Sequence, residues 1–171
     1  MRSSLTDILL LYISSVINSM SMKSLFDSKV HDNILKRIEC LDNNSPALWG
    51  KMSVDQMLKH CQLTLEIANG KREMKGSANG FKKIIFSLFK PMMYNDKPWR
   101  HNLKTAKELI ITNHYNFTTE KDYLIELINE FVSKKDNTNW PEHPLFGHFT
   151  TDQRGKMQYK HLDHHLKQFD V

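Results

Sequence analysis

Four histidines are the side chains of this chain best placed to do chemistry. Three of them fall within five residues near the end, in Tyr159-Lys-His-Leu-Asp-His-His-Leu-Lys-Gln-Phe169, and the fourth is His60, far upstream. On a helix His161 and His165 stand one turn apart on one face, about 6 Å apart along the axis, a span that one metal ion bridges. With His60 from a facing helix they make a set of three neutral imidazoles. That set suits a first-row divalent ion and leaves at least one coordination position for water or substrate. An ion held so lowers the pKa of a water or thiol and makes it a nucleophile near neutral pH. A hydrogen-bonded core histidine is the plainer reading of His60, and nine histidines in 171 residues allow a chance pair four apart. Spacing alone leaves both readings open.

Helical wheels sort the histidines further. With His60 at zero, Met57, Cys61, Thr64, Leu65 and Ala68 fall between about 40° and 140°, and Asp55, Lys59, Gln62 and Glu66 between about 200° and 260°. His60 therefore lies within the apolar arc. With His161 at zero, Gln158, Leu162, Leu166 and Phe169 lie at about 60° to 140° and His165 near 40°. His164, near −60°, is left at the surface or behind the ligands. His31, His101, His114, His143 and His148 have no partner at ligand spacing and read as surface or loop-packing residues. Cys61 points about 100° away from His60 and reads as core. Tyr159 and Gln158 are candidates to donate to a substrate or orient a ligand, and no catalytic residue can be named.

The elements that must position these side chains are helical. A first helix is expected from Ser24 to Leu41, ended by Asp42-Asn-Asn-Ser-Pro46. The second opens on the Ser-x-x-Gln capping box at Ser53 and ends near Gly70. An irregular stretch from Lys71 to Phe117 follows. In it Phe81–Phe89 forms a short amphipathic helix stopped by Pro91, and the part from Phe81 to Trp99 is expected to wall a pocket. A third helix runs from Thr119 to Lys134, a Pro- and aromatic-rich loop covers Asn137 to Phe149, and a fourth helix starts at the Thr150-Thr-Asp-Gln153 box and runs to Phe169. Strand-like alternation is weak throughout. Four amphipathic helices predict an all-α four-helix bundle, in which metal sites are built from facing helices.

Composition sets the outer limits. Hydrophobic residues make up 40% and charged residues 25% of the chain, a globular balance. The net charge of +5 is spread along the sequence instead of gathered into a patch, so nucleic acid is not an expected partner. Two cysteines, Cys40 and Cys61, are too few for a disulfide framework and fit reduced thiols in the cytoplasm. Residues 1–21, with Arg2 and the apolar run Ile8–Ile17, resemble a short signal-like segment that is too short to span a bilayer. The favoured expectation is an over-long start with initiation at Met20 or Met22. The organisation is then an extension over 1–21 and one domain over 22–171, with no membrane partner. There is no phosphate-binding glycine loop, no Gly-x-Ser-x-Gly and no His-Glu-x-x-His.

Three stretches together, Trp49-Gly-Lys-Met-Ser-Val-Asp-Gln-Met-Leu-Lys-His60, His143-Pro-Leu-Phe-Gly147 and Tyr159 to Phe169, resemble the DinB/YfiT-like superfamily, closest to a bacterial branch that combines all three. The resemblance covers the chain from about Met22 onward, is specific at the two helix motifs and is loose between them. It implies a four-helix bundle holding a divalent metal through one histidine of the second helix and a His-x-x-x-His of the fourth. Those positions are His60, His161 and His165 here. It further implies that the ion, zinc or nickel first, activates a low-molecular-weight thiol for S-transfer to a small electrophile, with hydrolysis of a small molecule as the close variant. A homodimer is also in keeping with it. Arg154 stands where this branch is expected to carry Trp, and Asp170 where Gly is usual; Arg154 bears on the pocket mouth. The alternative of another class is a non-catalytic small-molecule or metal-binding protein on the same scaffold.

Overall fold

Local capping rules fix where the helices begin. In the computed structural model, which describes residues 22–74 and 86–171, the chain forms four long α-helices: α1 (Ser28–Glu39), α2 (Val54–Ala68), α3 (Phe117–Ser133) and α4 (Thr151–Gln168). The expectations for residues 1–21, and for most of the 81–89 helix, lie outside the described residues; residues 86–89 are helical and run into a 3₁₀ turn at Lys90–Met93. The capping boxes that open α2 and α4 are formed: Ser53 N donates to Gln56 Oε1 (3.1 Å) and Gln153 N donates to Thr150 Oγ1 (3.2 Å). Two starts differ from expectation. α1 begins at Ser28 because the Asp27 carboxylate accepts from Lys29 N and Val30 N, and α3 begins at Phe117 because the Asn116 side chain accepts from Thr119 N. In each case an Asx residue captures the free amides of the first turn ahead of the periodic apolar run.

The helices bury one stripe each. Ile34 and Ile38 from α1, Met57, Leu58, Cys61 and Leu65 from α2, Leu124, Leu127, Ile128 and Phe131 from α3, and Leu162 and Leu166 from α4 share one core. α2 packs along α3, while α4 meets α1 and also α2, which brings the His60 face of α2 against the His161 face of α4. Gly155 shows how close the N-terminal end of α4 lies to the start of α1: a Cβ there would collide with Ser24 Oγ and with the Phe26 ring. Phe26 in turn stacks on Phe131, with ring centroids 4.9 Å apart. Among the described residues there is no strand, only a bridge closing the loop between His143 and Gly147. The architecture is all-α. No helix among the described residues is long and apolar enough to cross a membrane.

The chain from residue 90 to 116, between α2 and α3, is irregular, with short 3₁₀ turns at Lys90–Met93 and Lys107–Leu109. The first turn lies against α4 and the second against α2. The segment thus crosses the two helices that carry the histidines.

Candidate metal centre

His60, His161 and His165 are brought together with one ligand nitrogen from each within 4.8 Å of the others, and all three side chains are buried. Their ring centroids lie 4.8 to 5.1 Å apart, and the Nε2 atoms of His60 and His161 are 3.2 Å apart. These are the three residues that the wheels place inward.

The hydrogen bonds behind the rings decide which nitrogens carry protons. His60 Nδ1 lies 2.9 Å from the carbonyl oxygen of Leu109, which can only accept, so Nδ1 is protonated. His161 Nδ1 lies 3.1 Å from Thr64 Oγ1; that hydroxyl spends its proton on Cys61 O at 2.8 Å, so it accepts from His161. His165 Nδ1 lies 2.9 Å from Gln168 Oε1, and the Gln168 amide is oriented by its own donation from Nε2 to Trp49 O at 2.7 Å. Each imidazole therefore keeps a bare Nε2 lone pair, and those of His60 and His161 face each other. Burial holds each of them neutral, pushing His60 down, His161 far down, and His165 to about 3, with the neighbouring imidazoles adding to the effect at His161 and His165.

Two lone pairs facing each other at 3.2 Å repel unless a cation lies between them. A first-row ion holding two imidazoles at about 2.0–2.1 Å sets their nitrogens about 3.0–3.4 Å apart, the separation seen here. The acceptors behind the rings, a carbonyl for His60, a hydroxyl for His161 and an amide oxygen for His165, also match what metal-ligating histidines use elsewhere. The donor set therefore fits a divalent ion, and the three histidines could hold one. Among the described residues the cluster consists of histidines alone, without a carboxylate or thiol.

Gly50 belongs to the same arrangement. Its φ of +85° is open to glycine, and a Cβ at this position would stand 2.6 Å from Gln168 Nε2. The Trp49-Gly50 turn is thus shaped around the amide that orients His165.

An aromatic layer covers the outer side. Trp99 lies 5.8 Å from both His161 and His164, and His164 lies 5.1 Å from His165. His101 stacks flat on Trp49 at 3.8 Å, and Trp49 tilts against His164 at 5.9 Å. His164 accordingly sits half-buried behind His161 and His165, as the wheel indicates. Within the stretch expected to wall a pocket, Trp99 lies against His161 and His164. Lys160 is buried beside His161, its ammonium pushed down to about 8 by desolvation, and it donates to Met92 O, Asn95 O and Asn95 Oδ1.

The other expectations resolve one by one. His143 packs into its loop against Phe146 and Phe149, with Nδ1 accepting from Leu145 N and Phe146 N. His31 meets Asn129, and the exposed ring of His114 meets Asp55. Burial, with the Asp163 carboxylate toward which it is turned, pushes the Tyr159 hydroxyl up to about 12. Gln158 is buried, its Oε1 without a hydrogen-bond partner among the described residues, and it takes no part in the orienting bonds. Orientation of the three rings falls instead to Thr64, Gln168 and the Leu109 carbonyl. Thr64, four residues after His60 within an apolar arc, was the visible signal for one of these. Arg154 is buried in the position flagged above, bonding Phe149 O and Pro141 O and lying 5.3 Å from the Trp140 ring. It ties the 140–149 loop to α4. A cleft of about 570 Å³ lined by Asn69, Lys134, Trp140 and His148 lies beside that loop, and none of the three histidines lines it.

No curated protein and no solved structure matches this chain. A family model described as "Protein of unknown function (DUF1569)" matches residues 20–171, which takes in His60, His161 and His165 together with Thr64, Gln168 and the segment between α2 and α3, and the chain belongs to that family.

Proposed function

We propose that residues 22–171 form a metal-binding four-helix bundle of the DinB/YfiT-like kind, with His60, His161 and His165 as ligands to a divalent ion, zinc or nickel first. The observation that carries this is the convergence of three buried imidazoles, one ligand nitrogen from each within 4.8 Å of the others, whose Nδ1 atoms are each committed to an acceptor. When bound, such an ion supplies Lewis acidity that makes a thiol or water acidic near neutral pH.

Every other part of the reading concerns the chain's own residues. Leu109 O, Thr64 and Gln168 keep the three rings in the tautomer and rotation that aim Nε2 inward. Trp99 and His164 exclude bulk water from the outer side, which strengthens electrostatic attraction within. A small thiol reaching the site as thiolate, for transfer to an electrophilic substrate, is the activity proposed, in the cytoplasm and without nucleic acid or membrane as partner; hydrolysis of a small molecule is its close variant. The test is conjugation of a low-molecular-weight thiol to a model electrophile by zinc- or nickel-loaded protein. Turnover that disappears in His60→Ala supports the reading, and turnover unchanged in that variant rejects it.

One observation favours a second reading, a non-catalytic metal- or small-molecule-binding bundle. His60 is 4% exposed and His161 and His165 are 8% exposed. Ligands so covered suit a retained ion as well as a reactive one. Full metal loading without thiol transfer or hydrolysis would select it.

A further inference from the structure

Residues 90–110 lie as a strap over the outer side of the histidine cluster, and little of the strap is buried. Met92, Leu103 and Ile110 are exposed large hydrophobics, and Arg100, Lys104 and Lys107 are at the surface. A segment with so little buried apolar area gains little from packing, so its position depends on specific bonds. Lys90 Nζ donates to His148 O and His101 stacks on Trp49, and the remaining contacts centre on Lys160, Trp99 and His60. Lys160 Nζ donates to Met92 O (2.7 Å), Asn95 O (3.0 Å) and Asn95 Oδ1 (2.7 Å), which occupies all three ammonium protons. Trp99 Nε1 donates to Met92 O (3.0 Å), which folds the strap so that the indole stands over His161 and His164. At the far end Leu109 O accepts from His60 Nδ1, and beyond it Gln56 Nε2 reaches Thr112 O and Asn113 O.

We infer that residues 90–110 are the entry gate of the histidine site, latched by Lys160 and coupled to the bound ion through the hydrogen bond from His60 to Leu109. The coupling rests on the metal reading above, whereas the latch is a property of the chain alone. An ion on His60 Nε2 draws electron density from the ring and makes Nδ1–H a stronger donor to Leu109 O. By linkage, whatever the closed strap adds to retention of the ion, the ion adds to closure of the strap. A small molecule approaching from the Trp99 side meets the strap first, so gate opening precedes its entry.

Limited trypsin digestion of the full chain reads the gate directly, by mass spectrometry of cleavage after Arg100, Lys104 and Lys107; Lys97 precedes Pro98 and resists trypsin. The samples are metal-stripped and zinc-loaded wild type, Lys160→Met and Asn95→Ala, with zinc content and circular dichroism recorded for each. Where cleavage follows the population of the open form, loss of charge-assisted hydrogen bonds in metal-stripped Lys160→Met speeds cutting at these sites by about tenfold or more, and Asn95→Ala does so to a lesser degree. Zinc slows cutting of the wild type by about tenfold, and a chelator strips zinc faster from Lys160→Met. Wild-type cutting rates in both folded variants overturn the latch, and Asn95→Ala alone decides it should Lys160→Met not fold. One equivalent of zinc without slower cutting overturns the coupling and leaves the metal reading standing. No zinc uptake overturns the metal reading and the coupling with it, while the metal-stripped comparison still decides the latch.

Discussion

Thr64→Val keeps the shape of the side chain and removes one oxygen, so it isolates the bond that fixes His161. In the native chain the Thr64 hydroxyl gives its proton to Cys61 O and accepts from His161 Nδ1. In the variant His161 Nδ1–H is left buried with no acceptor, because the ring is 8% exposed. An unsatisfied buried donor costs about 1–3 kcal/mol, so the metal-stripped variant should unfold at a lower urea midpoint. The ring is also released to rotate or to adopt the other tautomer, which places a proton where the lone pair is needed. Second-layer losses of this kind lower metal affinity about 10- to 100-fold, or about 1.4–2.7 kcal/mol. Competition for zinc against a chromophoric chelator measures this, with Thr64→Ser expected to recover most of the loss. Affinity of Thr64→Val within about twofold of wild type would refute the assignment of tautomers, since the argument requires that acceptor.

Three further expectations follow from the same geometry. Gly50→Ala forces a side chain into a left-handed backbone position against the Gln168 amide, so it should cost about 1–3 kcal/mol and weaken metal binding as well; a normal melting temperature would contradict this. His143, held at about 4 by burial and by the charges of Arg154 and Lys90, protonates in the unfolded chain first as pH falls. Its contribution is therefore complete above about pH 6.5 and lost on the way down to about 4, with about 2 kcal/mol gone by pH 5; His165, held at about 3, acts in the same direction in the metal-stripped chain. Equal urea midpoints at pH 7.5 and pH 5 would contradict that. Cys61 is buried with its thiol pushed strongly upward, whereas Cys40 is exposed, so a thiol reagent should titrate Cys40 promptly and Cys61 after unfolding.

Periodicity carried the histidine cluster because helical geometry alone places it: residues four apart share a face, and His60 falls inside an apolar arc that has to face the core. The same periodicity missed the helix starts at Asp27 and Asn116, where a side chain competing for backbone amides outweighs the hydrophobic pattern. What fixes the three rings was legible in part. Thr64 shares the His60 arc and Gln168 follows His165 by one turn, so both were within reach of a wheel. The Leu109 carbonyl was not, because a main-chain acceptor has no residue signature and its position depends on how an irregular segment returns over α2. Lys160 was hidden for a related reason. A lysine beside a histidine cluster carries no sign of its own burial, yet here Met92 O and the carbonyl and side chain of Asn95 supply the acceptors that let it be buried. Arg154 was visible only as a departure, and its partners, two loop carbonyls and the Trp140 ring, come from a Pro-rich stretch without period.

Metal content is the most direct measurement of the central claim. Wild-type protein, His60→Ala and the double variant His161→Ala with His165→Ala would be incubated with zinc, nickel and manganese, passed through a desalting column and analysed for bound metal. The account predicts close to one equivalent of zinc or nickel in the wild type and none retained in either variant. Wild-type protein that keeps no metal, or variants that keep as much as the wild type, would contradict it.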